Sequence, residues 1–246
     1  MATESGDNKL IGNFRKLIDE VSAEPAYNPA NNKLKIPALE TQYTAADAAV
    51  ASVAAARAPQ KLAITDRESA FAGLRPLAVR SRNFLKASGA PKGILEDAET
   101  SIRKLTGGRK SSTKARPTTT GDGQPIEEDG GSASASQMSF DNQVGNFEAY
   151  IEVLKNVPAY NPNEADLKVT ALTARAASLT AKSNAVNTAS ATLNQVRGQR
   201  DQLLYLGDDS LVNTAQLVKA YVRAALGTQS QVYKKIKGLK FVKAAG

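Results

Sequence analysis

The chain has 246 residues, a net charge of +8, no cysteine and no histidine. Without cysteine there is no disulfide framework, thiolate nucleophile or thiolate metal site. Without histidine, Ser-His-Asp and Cys-His chemistry and His-bearing zinc sites are excluded as well.

The opening Met1-Ala2-Thr3-Glu4-Ser5-Gly6-Asp7 is polar and acidic, without the apolar core of a secretory leader. No stretch approaches the ~20 apolar residues that cross a bilayer. A soluble, cytoplasmic protein is the expectation. The first helix is predicted over about 8–23, with Leu10, Phe14, Leu17, Ile18 and Val21 on one face.

Tyr27-Asn28-Pro29 follows. Proline drives its predecessor out of the helical region and suits the first helical position, so Asn28 is expected to cap a helix starting at Pro29. That helix is long and alanine-rich. Its Ala48–Ala56 run is too short to span a membrane, and Pro59 predicts a kink or break. A third helix is expected from Pro76 to Ser88 before Gly89-Ala90-Pro91, and a last short one carries Ile94, Leu95, Ala98, Ile102 and Leu105.

Residues 107–139 are low in complexity, with a basic first half, an acidic second half and almost no large apolar residue. Such a stretch cannot offset its ordering entropy and is expected to be a flexible tether. The pattern then starts again. Residues 12–39 and 145–172 align without a gap at a constant offset of 133, with 13 identities in 28 positions. Gly12-Asn13-Phe14 recurs as Gly145-Asn146-Phe147, and Pro25-Ala26-Tyr27-Asn28-Pro29 as Pro158-Ala159-Tyr160-Asn161-Pro162. This is an internal duplication.

The second repeat predicts a helix over about 141–156 and, after Asn161 as cap, a long helix from Pro162 to about Leu206. Glu164 there is placed for a capping box. Leu172, Leu179, Val186 and Leu193 recur every seven residues, with small Ala176, Ser183 and Ser190 between them, which is a bundle seam. Asp208-Asp209-Ser210 begins a third helix carrying Leu211, Ala215, Val218, Val222 and Leu226, and Gly227 stops it. Val232, Ile236 and Leu239 mark the last helix. The expected fold is all-α: two tandem homologous helical-bundle units, 1–106 and 140–246, each with one long helix and three shorter ones, related by a pseudo-twofold axis.

The residues suggest little chemistry. Tyr233…Lys237 has a reductase-like spacing but lacks the strand and glycine fingerprint that such enzymes need. No cofactor, metal site or small-molecule substrate is implied. Lys234, Lys235, Lys237, Lys240 and Lys243, interleaved with Tyr233 and Phe241, are candidate nucleic-acid contacts through phosphate attraction and base stacking. Tyr27, Asn28, Pro29, Tyr160, Asn161 and Pro162 are read as structural turn and cap residues. The Tyr-Asn-Pro…Leu-Lys…Ala-Leu pattern, Leu217–Val222 and Ile236–Phe241 together resemble uncharacterised all-helical tandem-repeat proteins of Bacteroidota bacteria. That group has no known activity, so the resemblance implies a fold and no site. The expected function is a non-enzymatic helical scaffold that binds a partner protein or self-assembles. A basic nucleic-acid-associated protein is the alternative, and a membrane-active helical protein the third reading.

Overall fold

The computed structural model describes residues 4–106 and 139–242. Among the described residues there are eight α-helices and no strand. They are α1 (Glu4–Ser22), α2 (Ile36–Ala72), α3 (Leu74–Ala87), α4 (Lys92–Thr106), α5 (Phe140–Lys155), α6 (Val169–Leu204), α7 (Leu211–Leu226) and α8 (Gln231–Ile236). The segment expected to be a tether, 107–139, lies outside the described residues except for Ser139. Ser139 caps α5, its hydroxyl accepting from the Asn142 amide.

The described residues form two compact units, each drawn from two stretches of chain. One takes Met1–Lys61 with Thr188–Gly246, the other Leu62–Asn187. The boundaries fall inside α2 and inside α6, not between the sequence repeats. In the first unit α1 buries Leu10, Ile11, Phe14, Leu17, Ile18 and Val21 in a core shared with Leu34, Leu39, α7 and α8. That spacing of three and four gives α1 one continuous apolar face. In the second unit Phe147, Tyr150, Ile151 and Leu154 of α5 share a core with Leu172, Leu179, Phe71 and the inner faces of α3 and α4.

The seven-residue seam of α6 is buried at Leu172, Ala176, Leu179, Ser183, Val186 and Leu193, while Ser190 is only half-buried. In the second unit α2 and α6 run antiparallel. Asp66 pairs with Lys182 at 2.8 Å, and further along α2 the Ala70 carbonyl accepts from Arg175.

Three local expectations are corrected. The long helices start at Ile36 and Val169, not at Pro29 and Pro162. Between Tyr-Asn-Pro and each helix stands a 3-10 turn, Asn32–Leu34 or Ala165–Leu167. Asn28 and Asn161 therefore cap nothing. Asn31 caps the first 3-10 turn by accepting from the Lys33 amide at 3.0 Å, whereas Glu164, expected in a capping box, makes no side-chain cap bond. Pro29 and Pro162 are both buried, so packing holds these prolines and not helix initiation.

Second, of the kink or break expected at Pro59, the break does not occur: α2 runs through it. Pro59 is exposed, so the carbonyl it deprives of a partner can be hydrated and its ring disturbs no packed neighbour. Third, the closing helices differ: α4 has 15 residues and α8 only 6. The third helix of the second repeat follows its sequence signals. Ser210 caps α7 by accepting from the Asn213 amide, and Gly227 ends it at φ 81°.

Candidate functional site

Asp7 sits on the apolar face of α1, one turn before Leu10 and Ile11, and is 0 % exposed. An isolated carboxylate there would be costly, and two donors meet it. The guanidinium of Arg200 donates to one oxygen at 2.9 Å, and the Tyr205 hydroxyl donates to the other. Arg200 also donates to Asp201 at 2.7 and 2.9 Å. Burial works against the charge on Arg200, but hydrogen bonding to Asp201 and the charges of Asp7 and Asp201 outweigh it and raise its pKa. Burial first, then the Asp7 carboxylate, raises the Tyr205 pKa, so this phenol is a neutral donor at ordinary pH.

The second unit holds a hydroxyl chain instead. The Tyr160 hydroxyl donates to the Leu167 carbonyl at 2.8 Å. Its one proton being used, Ser81 must donate to Tyr160 (2.7 Å), and Tyr150 to Ser81 (2.8 Å). The proton direction is thus fixed along the chain from Tyr150 to a backbone carbonyl. Burial raises the pKa of Tyr150 and of Tyr160, against the pull of their bonds to Ser81. In the same unit, the Arg67 guanidinium lies 4.1 Å over the Phe140 ring, which meets Phe71 edge to face at 4.7 Å.

These arrangements tie helices together. Each carboxylate oxygen of Asp7 and each hydroxyl from Tyr150 to Tyr160 ends on another protein atom. A cleft of about 390 Å³ in the second unit is lined by Gly73, Pro76, Arg80, Asp166 and Arg175. Its two cations are already engaged, Arg80 with Asp166 at 2.6 Å and Arg175 with the Ala70 carbonyl. Among the described residues no cluster of His, Cys, Asp or Glu could hold a metal ion.

Tyr27 and Tyr160 do serve their turns. Tyr27 donates to the Leu34 carbonyl at 2.7 Å, the same seven-residue reach as Tyr160 to Leu167. Each ring also meets an aromatic ring edge to face at 5.4 Å, Tyr27 on Tyr221 and Tyr160 on Phe84.

The lysines fare differently. Lys234, Lys237 and Lys240 are exposed, Lys235 pairs with Glu20 at 2.8 Å, and Lys243 lies outside the described residues. Phe241, expected to stack on a base, is 8 % exposed and packs edge to face on Phe14. Lys219 holds this segment by donating to the carbonyls of Lys237 and Leu239, and burial lowers its pKa. Asn13 adds a bond to the Lys240 carbonyl at 3.1 Å.

Sequence motifs do not single out Asp7, Ser81, Tyr150, Arg200 or Tyr205, yet part of the signal is there. Arg200 stands seven residues after Leu193 and continues the α6 seam, and Asp7 interrupts an apolar face. A charge placed in an apolar register implies a buried partner without saying which. Comparison with protein-family models, curated protein sequences and solved structures finds no match for this chain.

Proposed function

We propose that this protein is a non-enzymatic helical scaffold, which binds a partner protein or assembles with itself through its helical surfaces. One observation carries the reading: the two buried polar clusters, around Asp7 and around Ser81, are engaged in holding helices together. Asp7 is joined to Arg200 and Tyr205, and Ser81 to Tyr150 and Tyr160, across long sequence separations. Catalytic groups need a free valence toward substrate, and these have given theirs to each other. Among the described residues no helix is long and apolar enough to cross a membrane, so the membrane-active reading gains no support.

The test is the molar mass of the purified chain by light scattering over a wide concentration range, joined to affinity capture from the native host. Mass rising above 26.0 kDa, or one protein retained in stoichiometric amount, supports the scaffold. A monomer that retains nothing refutes it. The nucleic-acid reading keeps one supporting feature, the exposed Lys234, Lys237 and Lys240, but loses Phe241 as a stacking group. It requires binding that weakens steeply with salt, with a slope set by about three phosphate contacts.

A further inference from the structure

The compact units do not follow the sequence repeats. The first core joins α1, Leu34 and Leu39 of the first repeat to Leu204, α7 and α8 of the second. The second core joins α5, Tyr160 of its turn and the start of α6 from the second repeat to Phe71, α3 and α4 of the first. In both, the front half of one repeat closes on the back half of the other. The aromatic contacts repeat the exchange: Tyr27 on Tyr221, and Tyr160 on Phe84.

We infer that each repeat is an incomplete folding module that takes its missing half from the other, and that two polar clusters decide which half joins which. The offset of 133 relates Asp7 to Phe140 and Arg200 to Arg67. One pair of positions is therefore an ion pair in the first unit, at 2.9 Å, and a cation over a ring in the second, at 4.1 Å. The same offset relates Tyr150 to Leu17. Along the third helices Leu74, Ala78 and Leu85 match Leu211, Ala215 and Val222, and all six are buried. That register places Ser81 where the second repeat has Val218.

Closure of a repeat on itself would still leave an arginine beside Asp7 and beside Phe140. It would take the Tyr205 hydroxyl from Asp7, since Ala72 stands at the equivalent position, and would break the hydroxyl chain. The front half of the second repeat would bring the Tyr150 hydroxyl against Val218, leaving a buried donor without an acceptor. Its Phe140 would meet Arg200. The front half of the first repeat would bring Leu17 against Ser81, removing one hydroxyl partner from that serine. The observed pairing gives Tyr150, Ser81, Asp7 and Tyr205 their hydrogen-bond partners, and self-closure strands some of them.

The chain lacks cysteine, so introduced thiols report cleanly. A specific protease site is inserted between Pro117 and Thr118 of the full chain. Tyr27→Cys/Tyr221→Cys and Tyr27→Cys/Phe84→Cys variants are treated with a short bismaleimide after folding, and then cut. Exchange predicts that the first pair leaves one undivided band on a denaturing gel. Self-closed modules would instead give two bands for the first pair and a link inside the N-terminal fragment for the second, which overturns the inference. The cut protein without introduced cysteines is a control independent of those substitutions. Its fragments must co-elute near the intact mass in native buffer and part only in denaturant, whereas separation in native buffer overturns the inference. Arg200→Met in the cut protein should raise the fragment dissociation constant at least about tenfold, because it strands the Asp7 carboxylate. Adding Asp7→Leu should recover part of that loss. An unchanged dissociation constant would show that the ion pair does not hold the exchanged halves together.

Discussion

Ser81→Ala is a small change in volume with a large expected effect. The serine hydroxyl accepts from Tyr150 at 2.8 Å and donates to Tyr160 at 2.7 Å, on a side chain that is 0 % exposed. Its removal leaves the Tyr150 hydroxyl, also fully buried, with a proton and no acceptor, at a cost of about 1–3 kcal/mol. Tyr160 loses one donor but keeps its bond to the Leu167 carbonyl, so its loss is about 1 kcal/mol. The expected total is about 2–4 kcal/mol, or roughly 4–16 °C in Tm for a chain of this size.

Tyr150→Phe alone removes the orphan at its source and should cost only about 1 kcal/mol, since Ser81 still donates to Tyr160. The double variant should therefore be no worse than Ser81→Ala, a coupling of about 1–2 kcal/mol. Urea unfolding followed by circular dichroism at about 222 nm, with unchanged slope, reads each value. Ser81→Ala within about 0.5 kcal/mol of the parent, or strict additivity with Tyr150→Phe, would refute the directed hydroxyl chain.

Alkaline pH should unfold the protein. Tyr150, Tyr160 and Tyr205 all have raised pKa values. Above about pH 10 the unfolded chain has released protons that the folded chain keeps, so stability falls by about 1.4 kcal/mol per pH unit for each such tyrosine. Lys219, shifted downward by burial, works the other way, and only below the ordinary lysine pKa of about 10.5. Urea midpoints from about pH 8 to about pH 11 should fall, and Tyr150→Phe should make the fall shallower. A flat profile would contradict the buried phenols.

Two glycines should respond with opposite signs in thermal melts. Gly227, at φ 81° and ψ 165°, occupies a region nearly closed to other residues, so Gly227→Ala should cost about 1–3 kcal/mol. Gly198 lies exposed within α6, and a methyl group added there would meet no neighbouring atom within 4 Å. Gly198→Ala should therefore stabilise by about 0.5–1 kcal/mol. Pro59→Ala should stabilise as well, by about 1–3 kcal/mol, by restoring a backbone bond within α2. A loss of stability there would show that Pro59 has a packing role.

Helical class and several helix ends are legible in the amino-acid sequence alone. Those features are local. Ser210 and Gly227 act within one turn of α7, and the seven-residue spacing of Leu172, Leu179, Val186 and Leu193 selects a buried face from neighbouring residues alone. Tertiary environment, buried for one proline and exposed for the other, decided where the local rules failed. Pro29 is buried beside a turn fastened by Tyr27 and starts no helix, and exposed Pro59 is carried inside one.

Which faces meet is a matter of three-dimensional packing. Periodicity marks a face as apolar but carries no address for its partner, and in a duplicated chain each face has two nearly equivalent candidates. Asp7 and Arg200 are 193 residues apart and touch because their helices share a core. The choice between self-closure and exchange rests on a few buried polar atoms. Their worth lies in whether a proton finds an acceptor, which no stretch of neighbouring residues can decide.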